Sequence, residues 1–235
     1  MLTTEGTHVG DCRFTANQVA IGLCTVTYST IERCRFDGNV CGVASYADYY
    51  TSEFGGVEAV SILNNVFGQN NTGVAFSHDP IHRANVIRGN IFKENAFGVY
   101  MTVTFDTDIS YNQFLNNTNY GVSISICMCG ASDNRIHHNN FINNHAGGVQ
   151  AFETMSPFDE NYWFSPDDGE GNYWSDYTGT DSGHDGIGDS PYIVPENDNN
   201  DEHPLMRPFV LGDMNLDGTV NVFDIDPFVL ALTDP

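Results

Sequence analysis

The stretch Ile109-Ser110-Tyr111-Asn112-Gln113-Phe114-Leu115-Asn116-Asn117-Thr118-Asn119-Tyr120-Gly121-Val122 decides the fold. It sets a β-branched residue five positions before a phenylalanine, an asparagine two before and three after it, and a Gly-Val pair close behind. Working outward, the same register recurs at Phe14, Phe36, Phe67, Phe92 and Phe141, with spacings of 22, 31, 25, 22 and 27 residues along the chain. Five residues before each phenylalanine stand Val9, Ile31, Ile62, Ile87, Ile109 and Ile136. Three residues after stand Asn17, Asn39, Asn70, Asn95, Asn117 and Asn144. Two residues before come Cys12, Cys34, Asn65, Asn90, Asn112 and Asn139, and Gly-Val pairs follow at Gly42-Val43, Gly73-Val74, Gly98-Val99, Gly121-Val122 and Gly148-Val149.

A unit of this length, built from short apolar stretches broken by Asn and Gly, buries no core alone, whereas stacked copies do. Leucine-rich repeats would need leucines where Ile, Val and Phe stand, and Asn-rich β-branched segments are poor helix formers. The expected fold is therefore all-β, a right-handed parallel β-helix of about six coils with strands about 4.8 Å apart. Equivalent Ile and Phe side chains become buried ladders, and the asparagines are expected at the bends, where Asn tolerates the left-handed conformation and donates its amide to a neighbouring coil. The expected division is residues 1–160 for the coils, 161–210 for an acidic closing region and 211–235 for a partial calcium repeat.

Composition narrows the partners. The 235 residues carry 31 acidic against 8 basic side chains, a formal net charge of −23. Phosphate binding needs a basic footprint that this chain lacks, which excludes nucleic acid as the expected partner. No apolar run reaches the length of a membrane span, and the N-terminus carries no charged segment followed by an apolar one. The six cysteines, Cys12, Cys24, Cys34, Cys41, Cys127 and Cys129, show no CxxC spacing, which argues against zinc ribbons, thioredoxin-type chemistry and c-type haem. Cys12 and Cys34 occupy one ladder position in adjacent repeats, either as packed thiols or as a disulfide.

The I-x-x-N-x-F-x-x-N-x-x-G-V pattern resembles the repeats of the periplasmic copper-processing NosD family and its carbohydrate-binding relatives. The segment Asn172-Tyr173-Trp174-Ser175-Asp176-Tyr177, followed by Gly179, Asp181, Asp185-Gly186-Ile187-Gly188-Asp189 and Pro191-Tyr192, resembles the closing motif of secreted or surface-attached members of that group. The likeness runs from residue 7 to about 208 and implies an extracellular or cell-surface location.

Two acidic loops point to calcium as cofactor. Asp181, Asp185 and Asp189 lie at short intervals on a glycine-bent loop, flanked by Asp176 and His184, the oxygen-rich arrangement a hard cation asks for. Asp213, Asn215, Asp217, Thr219, Asn221 and Asp224 take positions 1, 3, 5, 7, 9 and 12 of an EF-hand-type loop, with Gly218 at the sharp turn. The segment Gly212 to Leu232 resembles one type I dockerin repeat. A dockerin that grips a cohesin pairs two such repeats, so the resemblance does not extend to cohesin binding.

No catalytic pair stands out. Asp48, Glu53, Glu58, Asp106 and Asp108 fall in connections where a glycosidase could hold two carboxylates, yet no spacing singles out an acid and a base, and an enzyme is not the expected reading. For copper, Pro80 interrupts the His78 and His82 pair, and strand alternation is expected to send His137 and His138 to opposite sides. In the strand after each glycine, Tyr46, Tyr100 and Phe152 point outward, where aromatic rings stack on sugars. The expected role is a carbohydrate-binding or scaffolding module for an extracellular polysaccharide. A polysaccharide lyase or glycoside hydrolase on the same fold is the first alternative. The second is a filament or surface-layer subunit formed by end-to-end contact of open solenoid edges.

Overall fold

The structure is a computed structural model that describes residues 4–45, 56–77, 81–125, 130–145, 148–154, 160–195 and 199–210. Among the described residues every strand pairing is parallel, and the strands stack into four sheets of five, six, seven and six members. One coil is representative: His82–Arg83, Val86–Arg88, Ile91–Lys93 and Phe97–Met101 each contribute one strand to a different sheet. The chain is thus a β-solenoid, because each segment meets its homologue one coil away and not its neighbour in sequence.

The expected registers hold. Val9, Ile31, Ile62, Ile87, Ile109 and Ile136 pair in succession. So do Phe14, Phe36, Phe67, Phe92, Phe114 and Phe141. The phenylalanine rings stack face to face with centroids 5.0, 4.6, 4.8, 5.0 and 4.9 Å apart, which matches the coil spacing and lets one ring per coil fill the core. Trp174 and Tyr192 extend this column at 4.2 and 4.0 Å. The repeat glycines make room for it. A Cβ at Gly73 would stand 2.7 Å from Phe92 Cδ1 and 2.6 Å from the Gly98 carbonyl oxygen. The last expected pair leaves this register: Ala151, not Val149, stands opposite Val122, and Gly148 lies against the His145 ring instead.

One structural detail corrects the reading of the bends. The left-handed residue at each corner is the one before the ladder asparagine, such as Gln69 (φ 55), Glu94 (φ 55) and Tyr111 (φ 57). From Asn39 onward the asparagine itself turns inward and is buried. Asn70 shows the bonding: its backbone N–H and Nδ2 both donate to Asn95 Oδ1, at 2.9 and 2.9 Å, and Nδ2 also donates to the Phe36 carbonyl at 3.0 Å. The bond set recurs from Asn39 to Asn117. A second ladder runs Asn65, Asn90, Asn112, Asn139, Asn172. A third, unforeseen, includes Asn85, Asn134 and Asn161 at the corner before the Ile strand.

All three ladders end on a polar side chain from the last coil or the closing region. Gln150 Oε1 accepts from the Asn144 N–H and Glu153 Oε1 from Asn161 Nδ2. Asp201 Oδ2 accepts from the Asn172 N–H at 2.7 Å and from Trp174 Nε1 at 2.8 Å, while Oδ1 accepts from the His203 N–H. Burial pushes the Asp201 carboxyl up to about 7, against the pull of the donors from Trp174, Asn172 and His203.

Asn95→Ala should orphan the buried Asn70 N–H, at a cost of about 1–3 kcal/mol for that group alone, and chemical denaturation should read the loss. Because the folded pKa of Asp201 lies above its unfolded value near 3.9, its contribution is complete below that value and fades as pH rises through about 7. Unfolding curves should therefore show the wild type losing stability relative to the non-titrating Asp201→Asn between pH 4 and pH 8.

Candidate functional site

A groove of about 810 Å³ runs between the solenoid wall and the closing region, lined among others by Tyr111, His138, Glu170, Asp181, His184 and Phe209. Its chemistry starts at the end of strand Arg135–His137. Strict alternation would separate His137 from His138, but the strand stops there and His138 takes a left-handed backbone (φ 53). That bend brings the two imidazoles together, with Nδ1 of His137 2.6 Å from Nδ1 of His138. The expectation of opposed rings is thereby corrected, and its cause is the same corner geometry that serves every coil.

The outer nitrogens are held by carboxylates. His137 Nε2 lies 3.0 Å from Asp108 Oδ2, and His138 Nε2 lies 2.9 Å from Glu170 Oε2 and 3.7 Å from Asp168 Oδ2. Ser110 Oγ donates to Asp108 Oδ1. Burial works to raise the Asp108 carboxyl, but the hydrogen bonds from His137 and Ser110 outweigh it and hold it below its usual value. An ionised carboxylate only accepts, so these contacts assign the proton of each ring to Nε2. Two neutral rings would then aim bare Nδ1 lone pairs at each other across 2.6 Å. Only a cation between them, a proton or a metal ion, turns that repulsion into attraction.

Aromatic packing fixes the pair. The Tyr111 ring stacks on His138 at 4.9 Å, Arg88 covers Tyr111 at 4.5 Å, and Phe209 meets Tyr111 edge-on at 4.9 Å. His137 and His138 side chains are 13% and 8% exposed, so both rings are little solvated.

The calcium expectation fails on the first acidic loop. Asp181 accepts from the N–H groups of Asp185 (3.3 Å) and Gly186 (3.0 Å), and Asp185 from that of Ile187 (3.0 Å). Asp189 Oδ2 accepts from Thr180 Oγ1 and from the N–H and Oγ of Ser182. These carboxylates cap the turns of their own loop, and among the described residues no group of three or more His, Cys, Asp or Glu side chains could hold a metal. Asp213, Asn215, Asp217, Thr219, Asn221 and Asp224 lie outside the described residues, as do Tyr46, Asp48, Glu53, His78, Cys127 and Cys129.

The other singled-out residues divide. Tyr100 and Phe152 are half-buried on one sheet face, where Tyr100 meets Phe97 edge-on at 5.7 Å and Phe152 stacks on Tyr120 at 5.3 Å. Cys12, Cys24, Cys34 and Cys41 are free thiols. Asp106 and Asp108 line a separate groove of about 420 Å³ with Asp133 and Arg135. Sequence reasoning missed Glu170 and Tyr111 as partners of His138, and the corner position of His138 was the available signal.

Comparison with known proteins accords with this architecture. Residues 1–179 match the family described as "Periplasmic copper-binding protein (NosD)". A "Probable ABC transporter binding protein NosD" of Pseudomonas aeruginosa is 31% identical over 185 residues, which cover 79% of this chain and 30% of that relative. A protein of the same description from Stutzerimonas stutzeri is 32% identical over 126 residues, 54% of this chain and 21% of the relative. The chain therefore spans less than a third of the length of the curated relatives it matches. Copper, not calcium, is the metal in the family's description. With residues 1–179 of its β-solenoid matched, the chain belongs to the NosD family.

Proposed function

We propose that this chain is an exported copper-binding solenoid that takes the ion between His137 and His138. The observation that carries the reading is the 2.6 Å approach of two Nδ1 atoms whose rings are each anchored through Nε2 by a carboxylate. Ligating histidines commonly donate their second N–H to a carboxylate, which fixes the ring and raises its basicity. Imidazole suits copper, and the family's description supplies the choice among imidazole-binding metals. Nitrogens each about 2.0 Å from one ion stand farther apart than the present contact, so the rings open by a few tenths of an ångström on loading. The acidic groove beside the pair raises the local concentration of cations.

Titration of the full chain with Cu(II), followed by electron paramagnetic resonance, tests this. One ion per chain with coupling to imidazole nitrogens is expected. His137→Ala or His138→Ala should weaken it by tenfold or more without changing the circular dichroism spectrum. Asp108→Asn and Glu170→Gln should weaken it about 10- to 100-fold. Copper bound equally by both histidine variants would refute the assignment.

A second reading, polysaccharide binding, is supported by the aromatic row on the sheet that carries Tyr100. Phe97 and Tyr120 lie 6.2 Å apart on adjacent coils, and Phe152 continues the row. Rings at coil spacing on a rigid face suit stacking against an extended glycan. An oligosaccharide array should then lose its signal with Tyr100→Ala, and a blank array for the parent chain would dismiss this role.

A further inference from the structure

The second asparagine ladder is broken at its first two rungs. Cys12 and Cys34 stand where later coils carry Asn65, Asn90, Asn112 and Asn139. The Cys12 N–H donates to Cys34 Sγ at 3.4 Å, as a later rung donates to an asparagine Oδ1, and the Cys34 N–H donates to Asn65 Oδ1 at 2.9 Å. The thiols take over this bonding with weaker contacts, Cys34 Sγ donating to the Glu32 carbonyl at 3.3 Å and Cys12 Sγ to the Gly10 carbonyl at 3.1 Å. Asn65 Nδ2 reaches the Ile31 carbonyl at 2.9 Å, whereas Cys34 Sγ lies 3.8 Å from the Val9 carbonyl. The first two coils thus exchange the amide hydrogen bonds that the rest of the solenoid keeps for weaker thiol ones, and hold two thiols at the ladder position.

The spacing of those thiols selects what can bridge them. Equivalent atoms on adjacent strands lie about 4.8 Å apart. A disulfide needs a sulfur separation of about 2.05 Å and Cβ atoms about 3.8 Å apart, closer than that repeat, and in the structure both cysteines are free thiols. Two bonds of about 2.3 Å from sulfur to a soft d10 ion span about 4.6 Å, close to the coil repeat. Access exists from one side, since Cys12 is exposed while Cys34 is buried. Nearby carboxylates are occupied, with Asp11 bound to Arg33 at 3.0 Å and Glu32 to His8 at 2.9 Å, so hard oxygen donors do not compete.

The geometry points to Cys12 and Cys34 as a two-coordinate thiolate site for a soft monovalent metal ion of the Cu(I) or Ag(I) class, separate from the histidine pair. Each ligating thiol releases its proton to solvent as the metal–sulfur bond forms, with no change of oxidation state. Because each bond releases a proton, binding strengthens as pH rises.

The test uses the full chain with Cys24, Cys41, Cys127 and Cys129 changed to Ser, kept reduced, with Ag(I) as a redox-inert probe. One ion per chain is expected by native mass spectrometry, with a silver–thiolate absorption band and protection of Cys12 from alkylation. Cys34→Asn in that background restores the ladder residue, so it should raise the melting temperature yet bind Ag(I) at least tenfold more weakly. Cys12→Ser should lose the band likewise, while His137→Ala keeps it, so failure here and failure at the histidine pair are read separately. Unchanged affinity in Cys34→Asn, or no retained ion in the reduced parent, would overturn the proposal.

Discussion

Each coil of this solenoid turns sharply at left-handed corners, and beyond most of these bends a buried asparagine makes the turn affordable. A non-glycine residue in that conformation costs about 1–2 kcal/mol, and Gln69, Glu94, Tyr111 and His138 all adopt it. The compensation comes from the next residue. Its inward amide satisfies both a backbone N–H and a carbonyl of the preceding coil, as Asn95 does for Asn70 and Phe67. A buried polar group is expensive when unpaired and stabilising when fully paired, so the ladders tolerate few gaps and dictate the coil-to-coil register. The stacked phenylalanines then fill a core whose geometry the amides have already set.

Continuity of this kind needs an ending. At the closing region the amide columns meet Gln150, Glu153 and Asp201, and the aromatic column meets Trp174 and Tyr192. The Asn-Tyr-Trp segment therefore has a structural task before any ligand is considered. Its acidic loop follows the same logic on a smaller scale, since Asp181, Asp185 and Asp189 satisfy N–H groups of their own turns. Carboxylates at short intervals have the composition of a cation site without its convergence.

Chemical function enters where the corner rule meets reactive side chains. His138 sits at a left-handed position that Tyr111 occupies one coil earlier, which both stacks the two rings and turns His138 toward His137. Cys12 and Cys34 sit at ladder positions, which stacks two sulfurs. In both places the solenoid supplies the alignment, because the scaffold repeats it from coil to coil.

The repeat registers, the parallel stacking and the identities of the core ladders were legible from the chain alone, because a side chain that recurs at fixed offsets must meet its own copies when the coils stack. The third ladder escaped notice since Ser29 and Val60 stand where Asn85 and Asn134 follow, so its period is incomplete. The histidine pair was invisible for another reason: strand alternation is a rule for extended backbone, and His138 lies just past the strand, at a φ the one-dimensional pattern does not display. Whether Asp181 and its neighbours face outward to a metal or inward to their own amides was likewise decided only in three dimensions. Spacing along the chain limits which groups can meet; the sign of one backbone dihedral determines which of them do.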